Sequence, residues 1–344
     1  RKRAGQLFDI GAGFVYSQTL LACVNLKLFD IVAERPLATG ESGRRSGLRP
    51  EAAERLAAAA AALQLLQRRG RGPNGEALYG LGVLGASILG NPGYIDIVRH
   101  HEMFYRDLAD PVALLKGQAE ATHLSAYWPY AAGGEQRAAL KSEQVSAYTD
   151  LMAASQGFVS GDILDAYDVS RHSVLMDVGG GDGTFLRAAA GRAPALRLQL
   201  FDLPPVAETA ERRFAAAGLS ARARCVGGDF QRDALPDGAD LVTLVRVAHD
   251  HDDPVVEGLF ARAHAALPPG GTLIVAEPMS GLSGAESMAD AYFGFYLLAM
   301  GTGRARTPEQ LMAMLKRAGF AETRRIPTRR PLMTAMVLAR KRAA

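Results

Sequence analysis

Downstream of Asp168 the chain moves between two hydrophobic rhythms. Short apolar runs, Val174–Val178, Leu198–Phe201, Arg222–Val226, Leu241–Val245 and Thr272–Ala276, are separated by longer segments whose apolar residues recur at helical spacing. Such runs predict strands buried on both sides, hence a mostly parallel sheet with helices on each face. Leu332–Ala339 predicts a late strand at or near an edge. Upstream the pattern changes. Phe8–Val32 is apolar nearly all round, with Phe14, Leu20, Leu21, Cys23 and Phe29 among its members. A helix of that kind must be covered by other protein, and a second copy of the chain is a natural cover. Pro50-Glu51-Ala52-Ala53 opens an alanine-rich helix running to Arg68, Pro73-Asn74-Gly75 predicts a hairpin turn, and Ala77–Leu81 a short strand. Helix plus β-wing is winged-helix-like. Asp96–Gly117 reads as a helix broken at Pro111, Tyr127–Tyr130 as an aromatic turn, and Ser142–Tyr167 as another long helix. The expected architecture is an α/β sheet domain over 168–344, preceded by a mainly helical part over 1–167.

Composition narrows the function classes. Of 344 residues, 48% are hydrophobic and 22% charged, and a net charge of +3 is too balanced to argue for nucleic acid. The helix before the wing starts with Glu51 and Glu54 and is dominated by alanine, which argues against a DNA-reading role. Cys23 and Cys225 both lie on apolar stretches, so buried thiols in a reducing compartment are expected rather than a disulfide. With no continuous apolar run of about 18 residues and no signal peptide in view, no membrane span is expected and the location reads as cytoplasmic.

The candidate chemistry gathers at the ends of the expected strands. After Val174–Val178 comes the turn Gly179-Gly180-Gly181-Asp182-Gly183, then a helix from Thr184. Glycines let a backbone approach a ligand closely, and a helix N-terminus offers free N–H groups. Thr184 stands where a dinucleotide-binding turn needs its last glycine. Asp177-x-Gly179-x-Gly181-x-Gly183 instead resembles the S-adenosylmethionine loop of class I, Rossmann-like methyltransferases. Alone, such a turn could be an ordinary strand-to-helix connection. The second strand ends at Asp202, 19 residues after Gly183, where a carboxylate can accept from both ribose hydroxyls; a local cap is the plainer alternative. The third is followed by Asp229 and Phe230, a carboxylate for an adenine amino group and a ring to pack on the base. The fourth ends near Arg246 and leads to His249. Taken in order, these positions make S-adenosylmethionine the expected cofactor, with Asp177, Gly179, Gly181, Asp202, Asp229, Phe230 and Arg246 around it.

From the string D-L-P-x-V at 202–206 onward the chain is similar to the plant-type small-molecule O-methyltransferases. His249-Asp250 follows the fourth strand, Ala266-Leu267-Pro268 ends the next helix, and Glu277 closes the next strand 28 residues after His249. The resemblance implies that His249 is the general base and Glu277 the group that orients it. The chemistry agrees: an alcohol is a poor nucleophile until its proton leaves, histidine can take that proton near neutral pH, and a carboxylate on its other nitrogen fixes the tautomer. The cluster 249–253 could instead hold a metal ion, but adjacent residues on one turn rarely converge on an ion, and no metal is expected. Asp252 and Asp253 read as caps of the helix entered at Pro254. Two positions depart from the family pattern. Val245 stands where many plant enzymes have lysine, and in Gly303-Arg304-Ala305-Arg306-Thr307 an alanine replaces the family's second glutamate.

By position, the family's acceptor pocket would be lined here by Tyr148, Met152, Ser155, Phe295, Tyr296 and Met300. That set is apolar and suits a long hydrocarbon. Strings at 98–117, 128–130, 176–181, 243–247 and 264–271 resemble the 1-hydroxycarotenoid O-methyltransferases of purple photosynthetic bacteria, over nearly the whole chain. This implies methylation of a tertiary C1 hydroxyl on an acyclic carotenoid, a homodimer, and an enzyme that meets the photosynthetic membrane at its surface. Two rival functions are a methyltransferase for a phenol or a bacteriochlorophyllide, and a non-catalytic S-adenosylmethionine-binding protein.

Overall fold

The computed structural model describes residues 2–119, 121–128, 156–157, 159–331 and 333–344. Two compact units emerge, 1–102 and 103–344. The division lies ahead of the 167/168 position read from the sequence. The reason is that Phe104, Leu114, Leu124 and Trp128 are buried together with Tyr296, Leu297 and Met300, which belong to the second unit.

In the first unit, the long N-terminal apolar stretch forms two helices, Lys2–Asn25 and Leu28–Ala33, because Lys27 takes a left-handed backbone conformation (φ 52°). Cys23, Phe29 and Val32 are buried, whereas Leu7, Phe8, Ile10, Phe14 and Val15 remain exposed, Ile10 by 79%. The first of these helices has the length and mean hydropathy (1.4) of a membrane span, although Lys2, Arg3, Asp9 and several glycines interrupt its apolar character. Helices Thr39–Ser46 and Pro50–Ala62 follow, the second with proline in its first turn. The alanine helix therefore stops six residues short of Arg68. Beyond it, Gln64 turns with positive φ and Leu66–Arg71 is a strand, Leu66 buried and the rest exposed. With β1 (Leu37–Ala38), β2 (Leu66–Arg71) and β3 (Ala77–Leu81), the wing is a three-stranded antiparallel sheet in the order β1-β3-β2. Helix Val83–Leu89 follows it.

The second unit holds a seven-stranded sheet: β4 (Val174–Val178), β5 (Arg197–Asp202), β6 (Ala223–Gly227), β7 (Leu241–Val245), β8 (Thr272–Glu277), β9 (Glu322–Ile326) and β10 (Ala335–Arg340). Its order is β6-β5-β4-β7-β8-β10-β9. The first five strands are parallel, while β10 runs antiparallel between β8 and β9. The late strand is thus one position in from the edge. The edge itself is β9, whose exposed Glu322, Arg324 and Arg325 give no apolar signal. Alternate residues feed two cores. Met176, Val178, Val242 and Leu244 face the helices Asp253–Ala266 and Pro308–Arg317 through Leu259, Phe260, Leu311 and Leu315. Leu175, Leu198, Leu200 and Leu241 face the other side, against Ile163, Phe185, Leu186 and Phe214. The strand order reverses between β5-β4 and β4-β7, which opens a crevice beyond the strand C-termini, the usual ligand position of an open parallel sheet.

Candidate active site

The glycine turn after β4 is built to come close to something. Gly179, Gly181 and Gly183 all have positive φ (70°, 58° and 77°). A methyl group on Gly179 would lie 2.8 Å from a Val247 methyl, whereas one on Gly181 would meet nothing within 4 Å. The loop is therefore tight against the segment that follows β7 on one side and open on the other. Asp182 secures it. Its carboxylate, almost fully buried, accepts from the Thr184 N–H (3.0 Å) and hydroxyl (2.9 Å) and pairs with Arg187 and Arg213.

Two carboxylates flank the loop. Asp177 is buried at the end of β4 and accepts a 2.6 Å hydrogen bond from Thr243; burial pushes it up to about 7 against that bond, with Asp202 adding to the rise. Asp202 accepts from the Gly181 N–H (2.9 Å) and the Leu203 N–H (2.7 Å). Burial raises it to about 6, and the two amides oppose the rise. The local cap and the cofactor contact are thus compatible, because each oxygen that accepts one amide keeps a second lone pair. The open face of Gly181 beside the buried Asp202 carboxylate fits a ribose. Phe230 packs edge-on against His251 at 5.3 Å, and Asp229 accepts from the Gln231 N–H, tightening the turn after β6.

Beyond β7 the chain makes a strained step. Arg246 adopts φ 59°, its N–H bonding to Ala276. For a non-glycine residue that conformation costs about 1–2 kcal/mol, and such strain clusters at functional sites. The following 3-10 turn, Ala248–Asp250, buries His249. Its Nδ1 lies 3.4 Å from Glu277 Oε2, and its Nε2 3.2 Å from Asp250 Oδ1. The same Glu277 oxygen accepts the His249 backbone N–H at 3.0 Å. Burial alone would lower the imidazole pKa; Asp250 and Glu277 outweigh it, and the pKa is raised above the ordinary histidine value, with Arg246 opposing. The Asp250 carboxyl is raised in turn, chiefly by burial. Among the described residues, His249 Nδ1 and Glu277 Oε1 are buried without a hydrogen-bond partner. A buried carboxylate oxygen left open beside an imidazole is costly for a fold and useful for chemistry.

On the acceptor side stands an aromatic group. Phe293 meets the His249 ring edge-on at 5.5 Å, Tyr292 stacks on Tyr296 at 5.6 Å, and the Tyr296 hydroxyl accepts the Trp128 indole N–H at 2.9 Å. These rings come together where a π-helical turn, Ser287–Tyr292, runs into the helix Phe293–Met300. Phe295 is half-buried in the same cluster, and Met300 is fully buried. Tyr148, Met152 and Ser155 lie outside the described residues.

Several contributors escaped the sequence reading. Tyr292 and Phe293 did so because the π-helical turn shifts the residue spacing. Asp252 does not cap the helix Asp253–Ala266: its side chain accepts the Gly303 N–H (2.9 Å) instead. Asp253 likewise turns outward to Arg304 and Arg306, which hold its carboxyl at about 2. Arg306 is completely buried and reaches the turn that carries His249. Its burial could not be read from an arginine in a glycine-rich string.

The O-methyltransferase domain family matches residues 105–321, and the O-methyltransferase dimerisation domain matches residues 8–90. The chain is 45% identical over 342 residues to the demethylspheroidene O-methyltransferase of Cereibacter sphaeroides, covering 98% of this chain and 87% of that protein. It is 43% identical over 344 residues to the enzyme of the same name from Rhodobacter capsulatus, covering 99% and 83%. The solved structure of human N-acetylserotonin methyltransferase in complex with SAM superimposes with a TM-score of 0.81, covering 100% of this chain and 99% of that one at 23% identity.

Proposed function

The chain belongs to the O-methyltransferase family as an S-adenosylmethionine-dependent enzyme with a dimerisation domain, and on that premise we propose that it methylates the tertiary C1 hydroxyl of an acyclic hydroxycarotenoid, with His249 as the general base. The acceptor class rests on the 45% and 43% identity to two demethylspheroidene O-methyltransferases, and the apolar, aromatic surroundings of Tyr296 and Met300 suit a long hydrocarbon. The base rests on one observation above the others: an imidazole buried between two carboxylates at the mouth of the sheet crevice.

S-adenosylmethionine supplies the methyl group as an electrophile on a sulfonium. The glycine turn and Asp202 would hold its nucleoside end, Asp229 and Phe230 would meet the base, and Asp177 would hold the strand end beneath. His249 receives the hydroxyl proton as the oxygen–methyl bond forms and the methyl–sulfur bond of the donor breaks, the electron pair of that bond leaving on sulfur as a neutral thioether. Glu277, facing Nδ1, stabilises the resulting imidazolium and leaves Nε2 for the acceptor; Asp250, beside Nε2, is the carboxylate the incoming hydroxyl must share. A tertiary alcohol is far less acidic than a phenol, so histidine does not ionise it in advance. Proton removal accompanies transfer, and close positioning carries much of the rate.

The test is an incubation with labelled S-adenosylmethionine and separate pools of hydroxycarotenoid, phenol and bacteriochlorophyllide. Label is expected in the carotenoid pool, and label confined to another pool would replace the acceptor. His249→Ala should cut turnover about 10²–10⁴-fold, the range of a positioned general base. Unchanged turnover would remove the histidine from the reaction. Because such a substrate dissolves in lipid, the enzyme is expected to float with vesicles of photosynthetic-membrane lipids, and failure to do so counts against surface contact.

A further inference from the structure

We infer that Arg306 is a positioning residue for the reaction: it holds the turn Ala248–His251 so that the His249 ring stays between Glu277 and Asp250. The inference rests on His249 being the base. Arg306 is fully buried, and its guanidinium is committed on every side. One amino group donates to the Ala248 carbonyl at 2.8 Å, the other to the His251 carbonyl at 2.7 Å. These two carbonyls bracket His249 and Asp250. The Nε–H and the second amino group also donate to one oxygen of Asp253, at 2.9 and 2.7 Å. A planar fork with five donors can make this set at once; an ammonium on a flexible stem cannot.

The surrounding backbone shows how little room the turn has. Gly303, with φ 86°, presses so closely that a methyl group there would fall 2.3 Å from the His249 carbonyl oxygen. Its N–H is held by Asp252 at 2.9 Å. The segment 303–306 thus clamps 248–253 by a glycine at one end and an arginine at the other. Opposite it, Glu277 fixes the same turn through the His249 N–H. Residue 305 of this segment is alanine and offers no carboxylate to the ring. The neighbouring arginine steadies the ring through the main chain.

A displacement of about 1 Å at a reacting group can cost about 10²-fold in rate. Arg306→Lys is therefore expected to lower kcat about 10²-fold. It should also move the acid limb of the kcat/KM profile to lower pH, because a ring that drifts from Glu277 loses part of what raises its pKa. Arg317→Ala, which removes an exposed ion pair with Glu257 farther along the helix Asp253–Ala266, should leave both unchanged. His249→Ala is run beside them. If it keeps full turnover, the reading of the base has failed. If it abolishes turnover while folded Arg306→Lys keeps both rate and pH profile, the role of Arg306 alone has failed. Should Arg306→Lys not fold, Asp253→Asn loosens the guanidinium while sparing its two carbonyl bonds. It should lower kcat by about tenfold with the same movement of the acid limb, and unchanged values overturn the inference.

Discussion

The two nitrogens of His249 face different neighbours, and that asymmetry sets the pH behaviour. A base must be neutral to accept a proton. Carboxylates beside it favour the charged form, so the acid limb of activity should lie above the ordinary histidine value of 6.5. Glu277→Gln removes one of the two anions that raise the pKa. The acid limb of kcat/KM should then move to lower pH, and turnover should fall about 10²-fold because the imidazolium loses its partner. A profile measured from acid to mildly basic pH decides the matter: an unmoved limb would show that Glu277 does not act on the ring. The pairing of His249 with Glu277 was legible in the sequence through the family resemblance, and the structure gives its physical basis: Glu277 is the last residue of β8, and His249 follows the end of β7 by four residues. β7 and β8 pair in register from Leu241 with Thr272 to Val245 with Ala276, so their ends are neighbours by construction. Asp252 was misread for the converse reason. An aspartate just before a proline-led helix has the composition of a cap, and only the approach of Gly303 from 51 residues away gives its carboxylate another donor.

Elements were legible where burial wrote a period into the chain. Four of the parallel strands, β4, β5, β7 and β8, are buried and stood out as apolar runs; β6, expected to be buried as well, is the other edge strand and is only partly covered, with Arg224 exposed. β2 and β9 did not stand out, because Gln67, Arg68, Arg69, Arg324 and Arg325 are exposed and their strands are set by pairing with a neighbour. The helix-to-strand change at Gln64 was hidden by alanine, which favours helix everywhere and marks no end. The glycine turn was legible as an element but not in its division of labour. Gly179 faces Val247 and Gly181 faces open space, so the two should respond differently to a methyl group. Gly179→Ala combines a strained φ, costing about 1–2 kcal/mol, with a collision at 2.8 Å. It should weaken S-adenosylmethionine binding at least tenfold by calorimetry, about 1.4 kcal/mol. Gly191→Ala, at an exposed helical position with nothing within 4 Å, serves as the control. It should leave binding unchanged and add about 0.5–1 kcal/mol of stability. Equal affinities for the two variants would mean that the turn does not hold the cofactor.

The dimerisation domain makes the enzyme a homodimer, and the first unit leaves one apolar face open within the matched residues. On the helix Lys2–Asn25, Leu7, Ile10 and Phe14 are spaced three and seven residues apart from Leu7, and Phe8 and Val15 lie one position round. Together they form one exposed apolar side. An exposed apolar stripe of this kind on an otherwise charged protein marks an interaction surface, and each phenylalanine can bury about 150–250 Å². The same helix has the length and hydropathy to engage lipid, so two occupants compete for one face. Ile10→Glu combined with Phe14→Glu separates them. If the face pairs two copies, sedimentation should shift from dimer to monomer at micromolar concentration, since two carboxylates per chain would have to be buried in the interface. Flotation with vesicles would then follow only as far as it depends on the dimer. A variant that stays dimeric yet no longer floats would assign the face to the membrane and move the subunit contact elsewhere in residues 8–90. The expected result is the monomer, because residues 8–90 match a dimerisation domain and Ile10 and Phe14 lie on its open apolar side, whereas Asp9, whose carboxylate accepts from the Tyr16 hydroxyl at 3.2 Å, lies on the opposite side of the helix and leaves that side free of charge.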